Sequence, residues 1–287
     1  MQQDGTGADG RERDTLKLAI AQMCSSNTHA ANVATLEALA AEAHAAGADL
    51  LALPEAAGLV NKDFVAASQI VRPEADDPFV AACRALASQY GMWIHTGSTP
   101  IRLEGEERFR NRGHLIDPQG KILAHYDKIH LFDVDLPGET PRRESDRYVP
   151  GEEAVSVPTP WGVFGLSVCY DIRFPHLYRD YARAGASVLL VPSAFALRTG
   201  EDHWETLLRA RAIENGAYVI AAAQAGHHDD GRQTWGHSLV IDPWGKVLLD
   251  MEKRIGLAVL ELDMTAVNRA RASIPSLANE RPYHIRA

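Results

Sequence analysis

Short apolar runs that stop at a proline, a glycine or a charged residue recur along the whole chain, and this pattern constrains the fold more than any other feature. Residues 16–23 (LKLAIAQM), 49–53 (DLLAL), 163–168 (VFGLSV) and 187–191 (SVLLV) each have the length of a buried strand. All fall far short of the roughly 20 residues that span a bilayer. Between them lie stretches with helical spacing: 28–48, Ala-rich and stopping near Gly47; 77–90; 175–184; 203–215, stopped by Gly216; and 264–272. Residues 92–99, 112–116 and 122–126 read as successive strands, the last two joined by the D-P-Q-G turn at 117–120. A second tight turn, D-P-W-G at 242–245, joins strands 238–241 and 247–249; residues 218–223 and 257–262 supply two more. Strands separated by helices pair in parallel and those joined by tight turns antiparallel, so the fold is α/β with mixed sheets covered by helices. Two sheets stacked between helical layers account for the number of strands.

No Pro/Gly/Ser-rich or charge-run linker interrupts residues 16 to 275, so 15–287 reads as one domain. Residues 1–14 carry charge but no apolar signal core, and are expected to form a disordered tail. A formal charge of −9 offers no general attraction to phosphate backbones or anionic lipid, which argues against nucleic acid or membrane as partner. Cys24, Cys83 and Cys169 form no paired framework and no CxxC spacing, so neither disulfides nor a zinc ribbon is expected, and a reducing cytoplasm fits best.

Chemistry concentrates at two strand ends. The apolar run 163–168 delivers Cys169 into the polar sequence Y-D-I-R-F-P, just before a helix. N–H groups at such a helix start favour a thiolate and later an oxyanion. Cys24 and Cys83 read instead as small core hydrophobes. Pro54 ends the run 49–53 abruptly and leaves Glu55 on the following loop, where catalytic groups commonly sit. The run His227-His228-Asp229-Asp230 lacks the further ligands a metal site needs, and no metal or cofactor is expected. Arg269–Arg271 reads as a solvated basic face.

Three stretches taken together resemble the catalytic motifs of the nitrilase superfamily, in that family's order: L-P-E (53–55), Y-D-K-I-H-L-F-D (126–133) and V-C-Y-D-I-R-F-P (168–175). P-S-A-F (192–195), H-W-E-T-L-L-R-A-R-A-I-E-N (203–215), A-A-A-Q (221–224) and W-G-H-S-L-V-I-D-P-W-G (235–245) are similar to its Nit branch, which includes omega-amidases and deaminated-glutathione amidases. The resemblance covers residues 16 to about 284 and implies a four-layer αββα sandwich with a Glu55–Lys128–Cys169 triad. Amide hydrolysis needs those roles: a nucleophile, a base that deprotonates it and later water, and positive charge where the oxyanion develops. The resemblance further implies a second glutamate near the lysine, with Glu144 the better match and Glu139 its competitor. Arg173 is the candidate for gripping a substrate carboxylate, Tyr170 and Phe195 for lining the pocket, and Asp171 for bracing the loop.

The reaction implied is hydrolysis of a small carboxylate-bearing ω-amide to acid and ammonia through a thioester, without cofactor. Hydrolysis of N-carbamoyl amino acids is the alternative within the same chemistry, and an idle scaffold the alternative outside it. The family's habit implies at least a homodimer, with residues 273–283 as an arm that crosses the interface or wraps its own subunit.

Overall fold

The computed structural model describes residues 13–138 and 140–286. The first half runs β1 (Thr15–Gln22), α1 (His29–Ala45), β2 (Leu50–Ala52), α2 (Phe64–Ile70), α3 (Pro78–Tyr90), β3 (Trp93–His95), β4 (Thr99–Arg102), β5 (Phe109–Ile116) and β6 (Ile122–Asp127). A small hairpin of β7 (Asp133–Val134) and β8 (Arg142–Arg143) leads to the second half. There follow β9 (Ser156–Thr159), β10 (Gly162–Leu166), α4 (Pro175–Arg183), β11 (Ala186–Leu190), α5 (Leu197–Asn215) and β12 (Tyr218–Ala221). The chain closes with β13 (Ala225–His227), β14 (Gln233–Trp235), β15 (Leu239–Ile241), β16 (Val247–Asp250), β17 (Gly256–Asp263) and α6 (Thr265–Ser273).

One sheet has the order β17-β1-β2-β3-β5-β4 with β6 on β5, and the other β16-β15-β12-β11-β10-β9. Parallel pairs (β1·β2, β2·β3, β10·β11, β11·β12) are those separated by helices, and β5·β6 and β15·β16 are antiparallel across their tight turns. Alternation along β1 shows the layering. Leu16, Leu18 and Ile20 point into a large core shared with the second sheet, while Ala19 and Ala21 point into a separate core under α1 and α3. Helices α4 and α5 put Tyr178, Trp204 and Leu208 on the far side of the second sheet. The result is the four-layer αββα sandwich.

Three local departures from the predicted elements stand out. The run 92–99 divides into β3 and β4 because the chain turns at Gly97 (φ +65°), where an added Cβ would lie 1.9 Å from the Pro54 carbonyl oxygen. That turn lets both short strands pair with β5. Helix α5 starts six residues before His203, at Leu197. Asp77, predicted inside its helix, is its N-cap, accepting from the Phe79 (3.0 Å) and Val80 (2.9 Å) N–H groups. Among the described residues no helix is long and apolar enough to cross a membrane.

Candidate active site

Glu55, Lys128 and Cys169 follow the carboxyl ends of β2, β6 and β10, which all open onto the same end of the sandwich. Ligands bind at such strand ends in open α/β sheets. All three side chains are buried (5 %, 2 % and 8 % exposed) at the floor of one cavity of about 970 Å³.

Glu55 is held from four directions. Its Oε1 accepts from Lys128 Nζ (3.0 Å) and Asn111 Nδ2 (2.9 Å), its Oε2 from the Ala194 N–H (2.7 Å), and its backbone carbonyl from Gln224 Nε2 (3.0 Å). Burial pushes the carboxyl up. The charge of Lys128, with hydrogen bonds from Cys169, Lys128 and Ala194, outweighs burial and leaves it below its ordinary value.

Lys128 Nζ also donates to both oxygens of Glu144, at 3.0 and 2.8 Å, and Glu144 is fixed in turn by the Phe132 N–H at 2.6 Å. Burial opposes the lysine's charge, but Glu144 and then Glu55 hold it well above its usual value. Of the two candidate acids, Glu144 thus contacts the lysine; Glu139 lies outside the described residues.

Cys169 starts a 3-10 turn, Cys169–Arg173, with φ of +49°, a left-handed conformation that costs an ordinary residue about 1–3 kcal/mol. Two braces hold it there. Its N–H donates to the Pro192 carbonyl (2.9 Å), and the fully buried Asp171 accepts from Val168 N (2.8 Å), Tyr126 Oη (2.8 Å), His130 N (3.0 Å) and His130 Nδ1 (2.7 Å). Asp171 therefore braces the loop, as the sequence suggested. The thiolate expected from a helix start is not favoured in the resting site. Burial, then the charge of Glu55, raise the thiol well above its ordinary value, and Lys128 only partly offsets them. The cysteine's own N–H is spent on Pro192, and a five-residue turn adds little dipole. The resting assignment is thiol, carboxylate, ammonium, with the carboxylate able to take the thiol proton.

Tyr170 and Phe195 line the cavity, Phe195 packing on Trp204 at 4.8 Å between ring centroids. Arg173 does not line it. Its guanidinium sits 5.9 Å from the Tyr170 ring and 5.7 Å from the Phe195 ring, with Nη2 3.2 Å from His203 Nδ1, so it supports the pocket's aromatic wall from behind. The cationic lining comes instead from Lys62, Arg142, Arg143, Arg147, Arg198 and Arg232; the sequence points only to the arginines of the basic stretch 142–147 and not to Lys62, Arg198 or Arg232. Asn111 was missed as well.

His228 is tied to the Ser25 carbonyl and Thr234 hydroxyl, Asp229 to Ser26 and Asp230 to Arg232, and no three possible ligands converge among the described residues. Cys83 is buried, but Cys24 is exposed, its Sγ donating to the His227 carbonyl at 3.3 Å, and so is not a core residue. Arg271 leaves the expected basic face to bond the Asn215 carbonyl (3.2 Å) at the end of α5.

A carbon-nitrogen hydrolase family model matches residues 17–272. The chain belongs to the carbon-nitrogen hydrolase family. It is 38 % identical over 266 residues to a deaminated glutathione amidase of Yersinia enterocolitica, an alignment covering 92 % of each chain. The Homo sapiens deaminated glutathione amidase is 38 % identical over 269 residues, 92 % of this chain and 82 % of that one. The crystal structure of the C. elegans NitFhit protein superposes with a TM-score of 0.88 at 35 % identity, covering 94 % of this chain and 66 % of that chain. This hydrolase thus acts on carbon–nitrogen bonds other than peptide bonds, with small molecules as substrates.

Proposed function

We propose that this hydrolase is a cysteine-dependent amidase for carboxylate-bearing ω-amides, with Cys169 as nucleophile, Glu55 as general base and acid, and Lys128 with the Tyr170 N–H as oxyanion stabilisers. The observation that carries this reading is the direct Lys128–Glu55 contact in the same cavity as the buried Cys169. The thiol proton passes to Glu55 as sulfur bonds to the amide carbon and the carbonyl π pair moves onto oxygen. The oxyanion takes up the negative charge that Glu55 gives up, so the site's net charge is unchanged while Lys128 remains cationic. That preserves a preorganised field in a dry site. Collapse expels the amine, which takes the proton from Glu55. Water, deprotonated by the same carboxylate, then adds to the thioester, and collapse breaks the C–S bond, Glu55 returning the proton to the departing sulfur as the acid is freed. Glu144 keeps Lys128 aimed and charged, and Asn111 does the same for Glu55.

The cavity's cationic lining supports an anionic substrate, and the named relatives support deaminated glutathione as its type. With a primary ω-amide the leaving group is ammonia. With deaminated glutathione it is the amino group of a dipeptide, so formation of the keto acid is the readout common to both. The test measures keto acid from deaminated glutathione and α-ketoglutaramate, and amine release from N-carbamoyl-β-alanine, with wild type and Cys169→Ala in parallel. Keto-acid formation that vanishes in the variant is the expected result. Turnover confined to the carbamoyl compound would replace this reading with the carbamoyl hydrolase, and silence on all three with an unreactive Cys169 would replace it with the scaffold.

We propose a homodimer in a reducing cytoplasm. Ile213 at the end of α5 and Trp244 are 54 % and 60 % exposed, and the tail presents Tyr283 at 85 %, which supports an interface there. The three free cysteines support the compartment. A protomer mass in solution would refute the dimer.

A further inference from the structure

The chain carries a net charge of −9, yet among the described residues seven cationic side chains and two carboxylates, Glu55 and Glu144, line its cavity. Both carboxylates are committed to Lys128. Three of the remaining cations converge on one wall. Arg147 Nη2 donates to the Asn61 carbonyl, which brings it to the residue preceding Lys62, while its buried Nε has no partner. Lys62 Nζ lies 3.4 Å from the position a Cβ would occupy on Gly231, the neighbour of Arg232. Arg147 and Arg232 both act electrostatically on Tyr148. Asp230 pairs with Arg232 at 3.0 Å, and Glu144 and Glu55 also act on Tyr148. Holding three cations together costs repulsion, which an incoming anion relieves.

The place of this wall relative to the reaction follows from the chain. The loop that begins at Glu55 ends at Asn61 and Lys62, whereas the turn that begins at Cys169 leads through Tyr170 to Phe132, whose rings pack edge to face at 5.0 Å. A scissile amide bonded through carbon to Cys169 and protonated on nitrogen by Glu55 has its nitrogen on the Glu55 side and its acyl carbon on the Cys169 side. Its amine half then faces the loop after Glu55.

Resting on the amidase reading above, we propose that Lys62, Arg147 and Arg232 form a carboxylate subsite for the leaving amine, selecting amides whose nitrogen carries a carboxylate-terminated, peptide-like group. A cavity of about 970 Å³ is at the upper end of the range for drug-sized ligands and leaves room for such a group beyond a five-carbon acyl half.

The test compares kcat/KM for three substrates: deaminated glutathione, the same compound with its terminal carboxylate converted to a primary amide, and α-ketoglutaramate. Charge-assisted hydrogen bonds from two or three partly exposed cations correspond to a preference of about 10- to 100-fold for the acid over its amide, expressed mainly in KM. Arg147→Gln, and separately the exposed Lys62→Gln, reduce that ratio to below about 5-fold, and Arg147→Lys restores part of it. Because each ratio is taken within one variant, a general loss of activity cancels. Dissociation constants of the acid and amide for Cys169→Ala supply the same comparison without turnover. Equal handling of acid and amide by wild type, or a ratio that survives both glutamine variants, overturns the subsite while leaving the amidase reading intact. Absence of turnover on all three substrates overturns both.

Discussion

Replacing Glu144 with Gln isolates the carboxylate behind the lysine. The change keeps size and shape but removes the charge that meets Lys128 Nζ at 3.0 and 2.8 Å and the Phe132 N–H at 2.6 Å. At 2.8 Å and an effective dielectric of 20, the ion pair alone amounts to about 6 kcal/mol of attraction, most of which offsets the cost of burying the lysine. The amide oxygen still accepts, but in either orientation the amide NH₂ faces Lys128, together with Asn111 Nδ2 or the Phe132 N–H, as donor against donor. The net loss falls at about 2–4 kcal/mol of transition-state stabilisation, because Lys128 is then drawn toward Glu55 and away from the developing oxyanion. This corresponds to about 30- to 1000-fold in kcat. KM should change by less than about 3-fold, since Glu144 is committed to Lys128, and Glu144→Asp should recover part of the rate. Steady-state keto-acid formation from deaminated glutathione measures both parameters. A Glu144→Gln enzyme with wild-type kcat, or one impaired only in KM, would refute the claim that Glu144 works through Lys128.

Alkylation of Cys169 by iodoacetamide should keep accelerating up to pH 9 without a plateau, because burial and Glu55 hold the thiol above that range; a plateau near pH 7 would show a resting thiolate. Asn111→Leu removes a donor to Glu55 Oε1 without unpairing Lys128, and should lower kcat by about 10-fold, read in the same assay, with the fold's circular dichroism unchanged. Gly97→Ala puts a Cβ onto the Pro54 carbonyl at a positive φ and should cost about 3 kcal/mol or more in urea unfolding; a midpoint within error of wild type would mean this turn gives way easily. His95 is held neutral by burial, and to a lesser degree by His114, down to about 3, whereas in the unfolded chain it protonates below about 6.5. The unfolded state therefore binds the extra proton in that window, and stability falls as pH drops through it. His95 alone accounts for about 2–3 kcal/mol between pH 7 and 4.5, so His95→Gln should flatten the pH dependence of urea unfolding, and an unchanged slope would exclude His95 as its source.

Glu55 and Cys169 could be read from the sequence because they sit just past apolar strands, where hydrophobic periodicity stops abruptly, Pro54-Glu55 after β2 and Cys169 after β10, whereas Lys128 was marked only by the resemblance of Y-D-K-I-H-L-F-D to the family motif. What the sequence concealed is direction. Arg173 is four residues from Cys169, but one turn of 3-10 helix points it behind Tyr170 and Phe195, a consequence of rotation per residue that spacing alone does not convey. Asn111 sits within F-R-N-R-G-H-L-I, where strand alternation marks a face but not what stands opposite. The basic wall was least legible, since Lys62, Arg147 and Arg232 come from three unrelated loops and meet only through folding. The resting thiol was concealed too, because its protonation depends on burial and on Glu55's distance, both properties of the assembled sandwich.

Glu55 and Lys128 are carried by one sheet, Cys169 and the Ala194 N–H by the other, and a few cross-sheet bonds such as Gln224 to Glu55 and Ala225 to Met23 set the offset between them. The triad is thus a vernier across the interior of the protein. A slide of one sheet by an ångström leaves every strand paired and every helix intact, yet separates the base from its nucleophile. Denaturant should therefore silence this hydrolase before it melts it, with catalytic loss preceding loss of secondary structure.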